Sequence, residues 1–411
     1  MWKRFLDRLP LTDRITFVYD LQSSVLWGIG NGLVLPMASV IARKTGMGPD
    51  MIAFMLVTPY IGMLLSLLWG SMADRSPAMP LVKWPYVAAR GSLALMALVR
   101  GPLGFLLVMT AYNVLSYLPA PAYAVIMRAN YGDRDRGRLM GYVRVASTLV
   151  SAAASWAAGI LLQSHDDAYR LLFVATGVLG AASALRFSRI KVRRHAPRAG
   201  EVPVLRRRLP TLESLRAIRE DRRYLVFLAL LFLVAFPGKV FIPLEPIWFV
   251  DTLHMDYRGA GAVLGTAASL TSVLGYLAWG RLSRRRDPLK LYLAILVFTS
   301  AHVPLVALAQ SQYQLVPESA ASAIGNAGLD LIGLYVVMKL AGPSRFSLAN
   351  GLHAALMGAR GILGPFLGSF LYGRGILSIV QIMWIGTAVA YAALLGMLAF
   401  ILWLDRRGSA C

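Results

Sequence analysis

Four polar residues recur at every fourth position of "VPESAASAIGNAGLDLIGLYVVMKL": Glu318, Ser322, Asn326 and Asp330. That interval keeps them on one slowly drifting face of a helix, a stripe about 18 Å long at 1.5 Å per residue. Two carboxylates, an amide and a hydroxyl in such a row can exchange protons and hydrogen-bond a polar molecule. Two cations also sit within apolar sequence, Lys239 in "AFPGKVF" and Arg360 in "HAALMGARGIL". Arg360 shares a helical face with Asn350, His353 and Met357. A shorter stripe runs through Asp20, Ser24, Trp27 and Asn31, and Tyr112, Asn113 and Tyr117 precede the kink-forming Pro119 and Pro121. Amide and aromatic groups on a kinked helix suit a binding wall. Each of these residues has a plainer reading as part of a pair or packing contact that only holds helices together; for Asp20 the partner would be Arg144.

The elements that must position these groups follow from composition. The chain is 57% hydrophobic and 15% charged, against about half and a quarter in soluble domains. Several apolar stretches reach the roughly 20 residues that cross a bilayer; the clearest is "MIAFMLVTPYIGMLLSLLWGSMA" at 51–73. Twelve spans are expected: 16–42, 51–73, 81–100, 102–127, 139–163, 168–186, 224–250, 258–280, 288–309, 314–338, 346–373 and 376–404. They are numbered here as spans 1 to 12. The deep Lys and Arg then become costly, about 2.5–3.5 kcal/mol each on insertion scales, so they are functional hypotheses by default.

A net charge of +22 and a pI near 10.6 would point to nucleic acid in a soluble protein. Cytoplasmic loops of membrane proteins are also rich in Lys and Arg. With the N-terminus placed in the cytoplasm, only Arg43, Lys44, Arg100, Arg170, Arg258 and Arg374 of the 42 basic residues fall on the opposite side. Arg90, Arg144, Lys239 and Arg360 lie within spans. Both termini are therefore expected in the cytoplasm, and no nucleic-acid partner is needed. The N-terminal segment lacks a short apolar core with a cleavage site, so span 1 reads as retained. The only cysteine is Cys411, which leaves no disulfide and no Cys-based metal site.

The chain repeats itself. "LLWG" at 67–70 matches "LAWG" at 277–280, and the same offset pairs Pro36 with Pro246 and Gly141 with Gly351. Six spans duplicated to twelve give domains 1–186 and 224–411, joined by a basic loop at 187–223. That loop suits anionic headgroups, and "PTLESLRAIRE" within it reads as a short surface helix. The 2–3 loop, "LWGSMADRSPAMP", carries Gly70, Met72, Ala73, Asp74 and Arg75. It resembles the major facilitator superfamily loop Gly-x-Leu-Ala-Asp-Arg-x-Gly-Arg-Arg. It departs from that form at Pro77 and Met79, and the second copy has Arg284 in the place of the Asp.

The resemblance implies an all-α membrane fold of twelve transmembrane helices in two pseudo-symmetric six-helix bundles. It implies a central cavity lined by spans 1, 4, 7 and 10, and contacts between halves made by spans 2, 5, 8 and 11. It makes Gly70, Asp74 and Arg75 a cytoplasmic gate. The family's Gly-Pro antiporter pattern is absent from span 5, and its span 4 arginine has no clear counterpart. "GIGNG" at 28–32 and "GAGAVLG" at 259–265 imitate phosphate loops, but neither follows a strand; small-residue helix packing explains them. There is no Walker loop, HExxH or GxSxG.

The expectation is a monomeric secondary transporter in a bacterial inner membrane, with no cofactor and no metal. It moves a small organic solute by alternating access. Asn31, Asn113, Tyr117, Lys239, Asn326, Asp330 and Arg360 would line the cavity. Asp330, Glu318 and Asp20 are the carboxylates available for a coupling H+, Asp330 first among them. Lys239 and Arg360 favour an anionic or zwitterionic solute. Two alternatives stand beside this: efflux of lipophilic cations or drugs, and a transporter-shaped sensor or assembly protein that moves nothing.

Overall fold

A computed structural model describes residues 9–73, 77–132, 135–192, 222–283 and 285–408. Among them the secondary structure is helical throughout, with no strand. Ten helices are long and apolar enough to cross a membrane. The two remaining expected spans are helical as well. Span 3 is Ala78–Ser92 extended by the 3-10 turn Leu93–Leu98, and span 10 opens the helix Val316–Gly373. The fold is therefore the all-helical membrane architecture that the apolar pattern requires. Asp74, Arg75, the second-copy Arg284 and the proposed surface helix at 210–220 lie outside the described residues. Gly70 is in the last turn of Pro49–Ala73.

One boundary differs from expectation. Val316–Gly373 stays helical for 58 residues, where a break was expected between spans 10 and 11. A straight rod of that length would run about 87 Å at 1.5 Å per residue. Both ends of this run nonetheless meet one stretch of span 7. Gly368 lies against the Val240 backbone, and Glu318 reaches Glu245 through His302. Near the middle, Tyr224 at the other end of span 7 donates to the Ala349 carbonyl at 2.8 Å. The run is therefore not one straight rod.

The chain forms two compact units. Unit 1 comprises Met1–Met47, Thr58–Arg206 and Asp256–Thr266; unit 2 comprises Gly48–Val57, Arg207–Met255 and Ala267–Cys411. In unit 1 span 1 is clamped by spans 5 and 6 through its glycines. A Cβ at Gly28 or Gly32 would strike the Ser147 or Ser151 carbonyl. Ser155 and Thr176 donate to the Gly32 and Gly30 carbonyls at 2.7 and 2.9 Å. "GIGNG" is thus a close-packing face, as its place inside a span suggested. "GAGAVLG" serves the same end. Asp256 caps the turn before it by accepting from the Gly259 amide. The following Gly261–Ala267 π-helix packs Gly261 on Gly159, and Thr266 donates to the Ala152 carbonyl at 2.9 Å.

Unit 2 has an aromatic core in which Tyr224, Phe227, Trp279 and Tyr292 are buried with Leu231, Ile295 and Met397. Trp279, from the "LAWG" copy of the repeat, donates its indole N–H to the Ile324 carbonyl at 2.9 Å. This bond ties span 8 to the stripe-bearing span 10. Span 7 stays helical through Pro237 and breaks only at Pro243 and Pro246: Arg222–Phe241 gives way to a 3-10 turn at Ile242–Leu244, one α-turn at Glu245–Ile247 and a π-turn at Trp248–Thr252. Pro237, Pro243 and Pro246 each lack the N–H that a regular helix needs.

Candidate functional site

Helical drift divides the polar stripe of span 10. Each step of four residues advances about 40° at 3.6 residues per turn, so Glu318 and Asp330 point about 120° apart. Glu318 is 4% exposed, whereas Asn326 and Asp330 are exposed. Asp330 accepts a hydrogen bond from the Tyr276 hydroxyl of span 8 at 2.7 Å, and among the described residues it makes no salt bridge. Asn326 reaches back to the Ser322 hydroxyl at 3.5 Å. The exposed arm of the stripe therefore offers an amide and a carboxylate.

The buried arm ends in a cluster that the sequence does not reveal. Glu318 Oε1 is 2.5 Å from His302 Nδ1, and His302 Nε2 is 2.7 Å from Glu245 Oε1. His302 begins the second helical segment of span 9, His302–Leu308, and its ring leans on Phe241 with centroids 6.1 Å apart. Glu245, placed near the outer end of span 7 by sequence, sits in the broken part of that span. A lone His in an apolar run carries no periodic signal, so nothing in the sequence singles out His302. The usable clue is the cost of burying ionisable groups near span ends, which demands partners.

The two deep cations of unit 2 are also placed. Lys239 is half-buried, and its Cβ and backbone pack on Gly364 of span 11. Arg360 is buried and within electrostatic reach of His353 and Tyr292. The side chain of Asn350, expected on the same face, lies outside the described ones.

In unit 1, Asp20 is buried and accepts from the Tyr131 hydroxyl at 3.0 Å. Its neighbours on the same face of span 1 act alike. Asp13 accepts from the Gly132 amide, and Thr16 from the Asn130 amide, each at 3.0 Å. Positions 13, 16 and 20 thus pin the end of span 4. The expected partner Arg144 is exposed. Asn31 donates to Ser151 at 3.3 Å and Asn113 to Thr58 at 2.9 Å; both amides link helices within unit 1. Tyr117 is exposed.

Arg90 of span 3 is a second group to which the sequence alone assigns no role. Its guanidinium donates to the Ser183 hydroxyl and lies 4.2 Å from the ring centres of both Trp27 and Tyr86. Trp27 in turn tilts against Tyr112. Gly180 leaves the room that the Arg90 stem fills. Among the described residues no carboxylate pairs with Arg90. Its charge is held by aromatic faces and one hydroxyl, which uses one of its five donors. No grouping of His, Cys, Asp and Glu among the described residues is arranged to hold a metal ion.

The family model of the Major Facilitator Superfamily matches residues 23–241 and 227–410. The chain belongs to that superfamily. No curated protein matches it in sequence. Among solved structures, a mutant of the nucleoside transporter NupG is similar with a TM-score of 0.75 at 15% identity, covering 94% of this chain and 99% of that one. A bacterial homolog of the human lysosomal transporter Spinster, inward-facing and unoccupied, gives 0.64 at 14% identity, covering 96% and 95%. An auto-inhibited POT family peptide transporter gives 0.66 at 14% identity, covering 95% and 97%. At these identities the likeness is one of fold. Family and fold together make the protein a multi-pass membrane transporter of a small solute.

Proposed function

We propose that the protein is a proton-driven secondary transporter of a small anionic or zwitterionic organic solute. It works by alternating access of two bundles, 1–186 and 224–411. The observation that carries the solute class is Arg90: a buried cation with aromatic walls and, among the described residues, no carboxylate has donors to spare for an anionic group. Lys239 and Arg360 add positive charge within unit 2. Asn326 and Asp330 supply polar contacts on the exposed arm of the stripe, and a zwitterion's ammonium suits Asp330. Nucleosides and peptides, named for the structural neighbours, are polar solutes of the size in question.

A second reading, efflux of lipophilic cations, is favoured by the same Asp330, a carboxylate without a cation. Thermal shift of the purified protein separates the two, because a ligand that binds the folded state raises its stability. The expected hits in a mixed solute panel are anions and zwitterions, with stabilisation lost in Arg90→Gln. Stabilisation confined to lipophilic cations and lost in Asp330→Asn would replace this reading with the second. A panel that stabilises nothing, with no flux of any member, would favour the sensor.

A further inference from the structure

We infer that Glu245, His302 and Glu318 form an exchangeable proton site, and that this cluster rather than Asp330 carries the coupling proton of the transporter proposed above. One imidazole meets a carboxylate oxygen at each of its two ring nitrogens, at 2.5 and 2.7 Å. Each bridge needs one proton. Either the imidazole holds both, between two carboxylates, or one carboxyl holds a proton and donates it to the bare nitrogen. The two forms have equal charge and differ only in where a shared proton lies. Removing one proton to water leaves a carboxylate oxygen facing a nitrogen lone pair. That bridge then repels, and the cluster goes from one net negative charge to two, with Glu318 buried and the other two groups half-buried.

The surroundings give this proton a mechanical consequence. His302 belongs to span 9, Glu318 to span 10 and Glu245 to the broken end of span 7, so the two bridges tie three helices together. Glu245 stands between Pro243 and Pro246, in a stretch that passes through 3-10, α and π turns. Such a backbone yields more readily than a continuous helix. Loss of the proton therefore releases the segment that can move. The elements packed on His302–Leu308 are Arg222–Phe241, Pro288–Ser300, Val316–Gly373 and Ile379–Gly408. The charged groups bonded to the ring are Glu318 and, just beyond Phe241, Glu245; Arg222–Phe241 also carries Lys239, two residues before Phe241. Span 12 brings no charged side chain before Asp405, and Lys290 of span 9 is paired with that same Asp405 at 2.8 Å. Asp330, by contrast, makes its hydrogen bond to a neutral hydroxyl.

The test follows histidine resonances of the full chain in lipid nanodiscs, labelled with nitrogen-15 at histidine and assigned to His302 by their loss in His302→Gln. We expect the His302 signals to titrate between about pH 4 and 10, within the tails of a few pH units that side chains in buried clusters reach. Glu245→Gln and Glu318→Gln should each move the midpoint by at least one pH unit, a tenfold change in proton affinity. A midpoint unmoved by both substitutions overturns the proposal, because the carboxylates then do not share the proton. His302 signals that stay constant across the range in every variant overturn it too, because the cluster is then a fixed tie. Glu245→Asp and Glu318→Asp keep the charge and shorten the reach. They replace the Gln variants if those do not fold, and the same outcomes apply. No solute enters this experiment, so its failure is distinct from failure of the transport reading, which the solute panel decides.

Discussion

Arg90 is buried and His302 half-buried, both positive or potentially positive groups, and the protein treats them differently. His302 is given two carboxylates, so its charge is matched inside unit 2 by Glu245 and Glu318. Arg90 is given two ring faces and a hydroxyl, which lower the cost of its charge without cancelling it. A matched group is suited to exchanging a proton with its partners, and an unmatched cation is suited to an anion from outside. Arg90→Gln should weaken binding of an anionic solute by about tenfold, ~1.4 kcal/mol, with little change for cations, as read by the ligand dependence of thermal stability. Arg90→Lys keeps the charge but loses the flat stacking surface, and should fall between the two. Equal losses for anionic and cationic ligands would show that Arg90 only supports packing.

At the scale of elements, small residues decide which helices meet. Gly28, Gly30 and Gly32 bring span 1 against spans 5 and 6, and Gly364 and Gly368 bring span 11 against span 7. Gly32→Val forces a branched side chain into the Ser151 backbone. It should cost about 1–3 kcal/mol, seen as a fall of several degrees in the melting temperature of purified protein. Gly91→Ala, where nothing stands within 4 Å, should melt within a degree or so of the parent.

The connection before span 9 has its own lock. Asp287 accepts from the Leu289 amide at 2.8 Å, capping the helix, and pairs with Lys339. Partial burial works to raise its pKa, but the Lys339 ammonium and the backbone amides outweigh that and hold the carboxyl below its usual range. A depressed carboxyl stabilises the fold above its unfolded value and loses that contribution as pH falls through the folded one. The melting difference between parent and Asp287→Asn should stay constant above about pH 5 and shrink below about pH 4. A difference that grows on acidification would contradict the assignment.

What the sequence makes legible at this scale is whatever depends on local pattern. The break in span 7 follows from Pro243 and Pro246, though Pro237 leaves its helix unbroken, and the packing role of "GIGNG" follows from its place inside a span. The every-fourth spacing at 318–330 indicates one polar face but not its division, because a drift of 120° matters only once the neighbours of each turn are known. His302 is illegible for the opposite reason. Its partners lie 57 and 16 residues away, and nothing local marks the meeting. The uninterrupted helix at 338–346 runs against expectation because the polar residues there resemble those of a loop.

For the whole molecule, hydropathy and the siting of Lys and Arg are enough to define the class, and the family match extends it to nearly the full length. The gate at Asp74 and Arg75 and the orientation of the termini are proposals resting on the sequence, and impermeant labelling of Cys411 in inside-out and right-side-out vesicles reads the latter. A C-terminus labelled only in inside-out vesicles is expected.

The central claim is that a proton gradient drives a small anionic or zwitterionic solute through this chain. Its most direct measurement is uptake of a labelled solute, chosen from the stabilising hits, into proteoliposomes with and without an imposed pH gradient. The account predicts accumulation above equilibrium only with the gradient, abolished by a protonophore. It also predicts that Glu318→Gln loses this accumulation while still exchanging solute across the membrane. Uptake that is the same with and without the gradient, in parent and variant alike, would contradict it.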